Sequence, residues 1–192
     1  MPALMHLFEH FIPLYLLLLL AVILLFLLTG LFIRKEWTAS EVLVIDIPVL
    51  RVYQYVRQLR NHYSFNQWIS LNCRDIPELK GPDGQAGAEA IFEGKGSSNN
   101  KTVIAISNLV EGFWIDFEIR SQGSAVEKIR IVTQSVNDIH TQISLLYSFR
   151  SRYPFNVFTA VSGHNHTMNR NARQSLVRLN KALKNTKEPV MT

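Results

Sequence analysis

The sequence predicts an α+β domain carried on one transmembrane helix. Three observations predict it: an unbroken apolar run near the N-terminus, a middle section whose hydrophobic period is two, and a final section whose period is that of a helix. Residues 1–10 read as a flank, 11–33 as the span, 34–40 as a short linker, 41–184 as the folded domain and 185–192 as a tail. Two large domains do not fit in 192 residues, because domains usually run to about 100–200 residues. A hydrophobic share of 47% with 18% charged residues excludes a disordered chain, and the single cysteine, Cys73, excludes a disulfide-stapled scaffold.

From Phe11 to Ile33 the only ionisable side chain is Tyr15. At about 1.5 Å per residue such a helix reaches roughly 35 Å, more than the ~30 Å hydrocarbon core of a bilayer. A cleaved signal peptide fits less well, since Glu9 and no Lys or Arg precedes the run and no small-x-small site follows it. Tyr15 and Trp37 flank the run at the two interfacial belts. Arg34 and Lys35 stand directly after it, against His6, Glu9 and His10 before it, which places the C-terminal domain in the cytoplasm. An unpaired Cys73 agrees with a reducing compartment. The expectation is a single-pass membrane protein whose partners are the lipid bilayer and other membrane proteins met through the span. Asn100-Lys101-Thr102 and Asn165-His166-Thr167 would be glycosylation acceptors on the opposite side, but such triplets arise often by chance.

The linker fixes the domain's reach. An extended chain covers at most about 3.5 Å per residue, so a domain starting at Glu41 stays close to the bilayer surface. Glu41 to Ile47 is short and β-branched, and Pro48 suits the first turn of a following helix. On that helix Val49, Val52, Tyr53, Val56 and Leu59 share one side, opposite Arg51, Gln54, Arg57 and Gln58. Asn61 to Trp68 is too aromatic for an exposed loop and reads as a second short helix or packed turn. Asp75-Ile76-Pro77 and Gly81-Pro82-Asp83-Gly84 supply turn chemistry.

From Ala86 the period becomes two. Strands are expected over Ala88–Glu93, Thr102–Leu109, Phe113–Arg120, Val126–Thr133 and Ile139–Phe149. A polar tip at Gly94 to Asn100, and turns at Val110-Glu111-Gly112, Gln122-Gly123-Ser124 and Asn137-Asp138, make them consecutive antiparallel strands. Phe113, Ile115, Phe117 and Ile119 alternate with Trp114, Asp116, Glu118 and Arg120, as in a strand with one buried face. The end of the chain, from near Ser162 or Asn165 to Lys184, is an amphipathic helix. Met168, Ala172, Leu176, Leu179 and Leu183 share one face; Arg170, Arg173, Arg178, Lys181 and Lys184 share the other.

Strand, short helices, a run of antiparallel strands and one long last helix is the order of a helix-grip fold, a curved sheet wrapped around that helix. The residues Ile47-Pro48, Val52-Tyr53, Leu59-Arg60-Asn61, Trp68, Gly81-Pro82, Gly84, Gly87-Ala88 and Leu176, Leu179 and Leu183 carry a resemblance. Over about Glu41 to Lys184 the chain resembles the START-like polyketide cyclase/dehydrase and lipid-transport superfamily, often called SRPBCC. It departs from that pattern at Tyr63 or Phe65, where a tryptophan is usual, and at Phe92-Glu93-Gly94-Lys95, where members often carry Trp-x-Gly-Asn. The stretch Pro154 to Asn171 is atypical too. The resemblance implies a cavity between the sheet and the C-terminal helix for an apolar ligand such as a lipid, sterol, quinone or polyketide. Phe113, Ile115, Phe117, Ile143, Leu145 and Tyr147 on inward strand faces, with Trp68, are the wall candidates. The same residues serve equally as plain core if the interior is filled.

Catalytic chemistry is not legible in the sequence. Asp116 and Glu118 share the polar strand face, His164-Asn165-His166 has no acidic or thiol partner nearby, Cys73 has no proposed base, and Gly81 to Gly87 lacks a phosphate-loop ending. No catalytic residue, metal or cofactor is assigned. The net charge of +5 resides in residues 164–192, where six basic side chains face Glu188 alone, while the rest of the chain is balanced. Without stacking aromatics or a groove-reading motif this favours anionic headgroups over nucleic acid. Arg170, Arg173, Arg178, Lys181 and Lys184 are the membrane-surface candidates, with a solvated helix face as the plainer reading. Three functions follow: a membrane-anchored binder of an apolar ligand without catalysis, a structural subunit of a membrane complex using the domain as an interaction module, or a cyclase/dehydratase-type enzyme.

Overall fold

The computed structural model describes residues 2–95, 100–121 and 126–186, with the side chains of residues 2–12 and 164–165 excepted. In chain order the elements are α1 (Pro2–Phe32), β1 (Glu36–Ile45), α2 (Val49–Arg57), a 3₁₀ turn (Leu59–Asn61), α3 (His62–Phe65), α4 (Gln67–Asn72), β2 (Glu78–Lys80), β3 (Glu89–Glu93), β4 (Lys101–Val110), β5 (Trp114–Ser121), β6 (Glu127–Ser135), β7 (Thr141–Arg150), α5 (Asn156–Val161) and α6 (His164–Asn185). They sort into two compact units, residues 1–35 with 151–164, and residues 36–150 with 165–192. The Gln122-Gly123-Ser124 turn, most of the polar tip, the tail from Lys187, and the side chains of His6, Glu9, His10 and His164 lie outside the described residues.

In the first unit, Pro13–Phe32 of α1 is long and apolar enough to cross a membrane, with a mean hydropathy of 2.9. The helix absorbs most of the expected flank, and its leucines are largely exposed. Its C-terminal turns meet a partner that the sequence reading missed, the loop and short helix of residues 151–161. Asn156, fully buried, donates from Nδ2 to the carbonyls of Gly30 at 2.7 Å and Ile33 at 2.9 Å, satisfying acceptors that a helix end leaves without intrahelical partners. The Tyr153 hydroxyl donates to the Leu27 carbonyl at 3.2 Å. Gly30 leaves room for this approach: a Cβ there would stand 3.0 Å from the Tyr153 ring, which would have to give by a few tenths of an ångström.

The second unit is a seven-stranded antiparallel sheet in the order β1-β7-β6-β5-β4-β3-β2, curved, with α6 as its C-terminal helix. The meander from β2 to β7 is the expected one, and β1 closes it by pairing along β7 from Glu36↔Arg150 to Ile45↔Thr141. Strand β1 starts five residues earlier than expected, at Glu36. Trp37 and Ala39 are buried on one face and so take the place given to linker. A bulge between Ile106 and Asn108 interrupts the β4–β5 register, the kind of feature that bends a strand and strengthens its twist. The three-residue strand β2 carries no hydrophobic period, which is why the sequence did not show it.

One face of the sheet is apolar. Ile104, Ile106, Ile115, Phe117, Ile119, Ile129, Ile131, Ile143 and Leu145 join one core with Val52, Tyr53, Val56, Phe65 and Ile69, and with Met168, Ala172, Leu176, Leu179 and Leu183 of α6. Polar pins hold the helices in place. Arg51 donates to the carbonyls of Leu183 and Thr186, and Arg178 donates to the Ser64 carbonyl at 3.2 Å, to Gln67 Oε1 at 3.0 Å and to Ser70 Oγ. Asp83, from the Gly81–Gly84 turn, accepts the Leu59 amide at 2.6 Å and Arg60 Nε at 2.7 Å, tying the 3₁₀ turn to that loop. The outer face carries the charged ladder expected of it: Arg130 grips Asp116 through two bonds of 2.6 and 2.7 Å and stacks on Trp114.

The two faces of α6 give a direct check. Leu179 is fully buried and Val177 is 57% exposed. Leu179→Ala should lower unfolding stability by about 2–5 kcal/mol, and Val177→Ala should change it by less than about 0.5 kcal/mol. Denaturant titration of the full chain measures both.

Candidate functional site

The interior between sheet and α6 is almost wholly hydrocarbon, which makes its few polar groups conspicuous. Asn66 is the first. As N-cap of α4 its Oδ1 accepts the amides of Trp68 at 3.1 Å and Ile69 at 3.3 Å, and it also lies 3.5 Å from the buried Tyr147 hydroxyl of β7, which donates to it. Ser175 of α6 flanks the same hydroxyl; its Oγ accepts the Gln67 amide at 2.9 Å and donates to the Asn171 carbonyl at 2.8 Å. Burial, and then the nearby Glu127 charge, push the Tyr147 phenol well above its ordinary value. The hydroxyl therefore stays protonated and can donate.

Glu127 opens β6 in register with Phe149 of β7 and on the same side as Ile129 and Ile131. Loss of solvation pushes its carboxyl up to about 6. His62 is another buried polar group. Its ring lies 4.6 Å from Phe117 and 4.8 Å from Phe65, centroid to centroid. Nε2 is 3.3 Å from the Val56 carbonyl, to which it donates, so Nδ1 is the acceptor nitrogen; among the described residues Nδ1 has no hydrogen-bond partner. Complete burial lowers the imidazole pKa to about 4, and the ring is neutral at physiological pH.

Of the wall candidates, Ile115, Phe117, Ile143, Leu145 and Tyr147 are all buried on the inward face and Trp68 is half-buried against the same core. Phe113 is not on that face. It is 65% exposed in the turn ahead of β5, because the strand starts at Trp114 and the alternation does not extend into the turn. Of the basic candidates, Arg170, Arg173 and Lys181 are exposed and make no ion pair among the described residues; Lys184 is 3.9 Å from Asp46. Arg178 is a correction, since its guanidinium is spent on α3 and α4 rather than held out to solvent. Beside it a surface groove of about 460 Å³ is lined by Gln67, Arg170, Arg173, Gln174, Val177 and Arg178. Cys73 is buried, its thiol pushed up by burial, and no cluster of metal-ligating side chains occurs among the described residues. Asn66, Ser175, Glu127 and His62 were missed. Only Asn66 left a sequence signal, as an Asn standing where an N-cap precedes Gln67-Trp68-Ile69.

The curved antiparallel sheet covered by one long C-terminal helix, with an apolar interior holding a few polar groups, is a helix-grip fold that solved structures of low identity share. Among solved structures, the chain is similar to the Zhui aromatase/cyclase from a Streptomyces species, at 10% identity and a TM-score of 0.60 over 78% of this chain and 94% of that one. Norcoclaurine synthase from Thalictrum flavum, in complex with dopamine and hydroxybenzaldehyde, matches at 10% identity and 0.56 over 80% and 90%. A Chromobacterium violaceum protein matches at 14% identity and 0.54 over 78% and 98%. No family model and no curated protein matches the chain. At such identities the likeness is one of fold.

Opposed titrations inside one core give a pH signature. His62, lowered to about 4 from 6.5, binds its proton more readily in the unfolded chain, so its contribution to stability is complete above pH 6.5 and lost as pH falls towards 4. Glu127, raised to about 6 from 4.5, has the reverse sign: its contribution is complete below pH 4.5 and lost as pH rises through 6. Between pH 4.5 and 6 the two slopes oppose each other. Glu127→Gln should leave stability rising with pH from 4 to 6.5, by up to about 1.4 kcal/mol per unit, and His62→Gln should leave it falling from 4.5 to 6. Thermal unfolding across that range checks both signs.

Proposed function

We propose that the protein is a membrane-anchored START-like domain that takes up an apolar molecule between its sheet and α6. The observation that carries this reading is the segregation of polar groups on the inward face. Tyr147, Asn66, Ser175 and Glu127 gather in one region, His62 offers an acceptor nitrogen elsewhere, Thr102, Thr133 and Thr141 spend their hydroxyls on protein oxygens towards the strand ends, and most of the remaining inward face is aliphatic or aromatic. An apolar ligand with a single polar end requires such a wall: hydrocarbon for most of its area and a few fixed donors and acceptors for its orientation. The Tyr147 hydroxyl, whose proton goes to Asn66 Oδ1, keeps lone pairs with which to accept, Nδ1 of His62 accepts, and Glu127 does either according to pH.

The anchor is α1. A cleaved leader would leave Asn156 and Tyr153 without the carbonyls they now bond, which supports retention of the helix. Only Ile33–Lys35 lie between α1 and β1, so the tether is short. The positive-inside pattern assigns the domain to the cytoplasm, where exposed Arg170, Arg173 and Lys181 would meet anionic headgroups at about 1 kcal/mol each. A second reading has one observation in its favour. A carboxyl raised to about 6 beside a phenol is tuned for proton transfer near neutral pH, as a cyclase or dehydratase would need.

The test is mass spectrometry of organic extracts from the purified full-length chain. A near-stoichiometric apolar compound is expected. Tyr147→Phe should weaken its retention about tenfold, the equivalent of one hydrogen bond of about 1.4 kcal/mol, without unfolding the domain. A monodisperse protein that carries no compound from any host membrane would contradict ligand binding and leave the closed-core interaction module in its place.

A further inference from the structure

The segment of residues 151–161 is inverted in polarity for a solvent-facing loop. Its polar groups point inward: Asn156 to the carbonyls of Gly30 and Ile33, the Tyr153 hydroxyl to that of Leu27, and Ser151 Oγ to Thr159 Oγ1 at 2.9 Å. Three of its apolar groups point outward. Phe155 is 64% exposed, Phe158 57% and Val161 77%, and their spacing of three puts them on one side of α5. A six-residue helix in water would bury its phenylalanines and expose its asparagine.

Depth gives the reason. Phe158 packs on Phe26 with ring centroids 5.1 Å apart, and Tyr153 and Val157 press on Gly30. Residues 26–30 belong to the apolar stretch Pro13–Phe32, about 3–9 Å short of its end at 1.5 Å per residue. Whatever solvates that stretch also solvates what packs on it. Inside a bilayer, backbone acceptors must be satisfied by protein, and Asn156 and Tyr153 do so. Lys35, 6.0 Å from the Tyr153 ring, and exposed Arg152 stand at the same end, where basic side chains reach up to phosphates.

We propose that residues 153–161 form a second membrane-embedded element, inserting Phe155, Phe158 and Val161 among the acyl chains of the leaflet at the C-terminal end of α1. The proposal rests on α1 being a membrane span. It converts a single tethering helix into a wedge with two points of insertion, which restrains rotation of the anchor about its own axis. It also explains why a stretch so unlike the superfamily pattern stands between β7 and α6.

A nitroxide attached at Phe158→Cys in the full chain, reconstituted in vesicles of phosphatidylcholine and phosphatidylglycerol, reads the depth directly. Buried Cys73 stays in place, and labelling of the parent chain sets the background. The ratio of oxygen to nickel-complex accessibility should lie several-fold above that of the label free in water and below that at Leu20→Cys in the middle of the span. Val161→Cys repeats the measurement at an independent position. A lipid-like value at Leu20 with water-like values at both 158 and 161 overturns the insertion and leaves the span intact. Water-like values at all three positions overturn the span, and the insertion with it.

Discussion

A seven-stranded antiparallel sheet with one apolar face must cover that face, and in the second unit α6 does so together with the short helices α2 to α4. The constraint organises the rest of the second unit. The leucine stripe of α6 supplies the hydrophobic area, and polar pins set its position: Arg178 on α3 and α4, Arg51 from α2 to the helix end, and Ser175 under Gln67. Arg178 and Arg51 sit at the borders of the interior, so apart from Ser175 the pins leave the interior itself largely apolar. Asn66 is the point where the two requirements meet. It caps α4 for local reasons and, with the same oxygen, receives the Tyr147 hydroxyl from the sheet.

Period explains what was legible. The alternation from Ala88 to Phe149 and the leucine spacing of the last helix reproduce the meander and α6 to within a few residues, since burial on one face imposes a period wherever an element is long. Where the period fails, the reading fails with it. Strand β2 is too short to show alternation, and Phe113 falls in a turn where alternation no longer governs; the early start of β1 at Glu36 is a different case, since residues 36–40 do alternate and read as linker only from their place directly after the apolar run. Arg178 looked like one more member of a charged stripe. Only the tertiary arrangement shows that it is consumed in holding the helix.

The site was less visible than the fold for a different reason. His62, Glu127 and Ser175 come from α3, β6 and α6, and although the aromatic segment around His62 reads as packed, nothing local marks any of the three as a functional group. Their character arises from desolvation, which lowers the imidazole pKa and raises the carboxyl pKa, and desolvation is a property of the assembled core. The stretch of residues 154–171 shows no regular hydrophobic period at its start. Within it Phe155, Phe158 and Val161 are exposed while Asn156 is buried against the end of α1, so a pattern read for burial of apolar groups finds no sensible face there.

The central claim is that the space between sheet and α6 accepts an apolar molecule, as distinct from lipid gathered around the anchor. Photocrosslinking separates the two directly, using a lipid that carries a diazirine in its acyl chain, supplied to membranes containing the full-length chain and followed by peptide mapping. Adducts on the inward strand peptides around Ile115–Ile119 and Ile143–Tyr147, competed away by unlabelled extract from the same membranes, are the expected result. Adducts confined to peptides of α1 and α5, with the strand peptides unmodified, would contradict it.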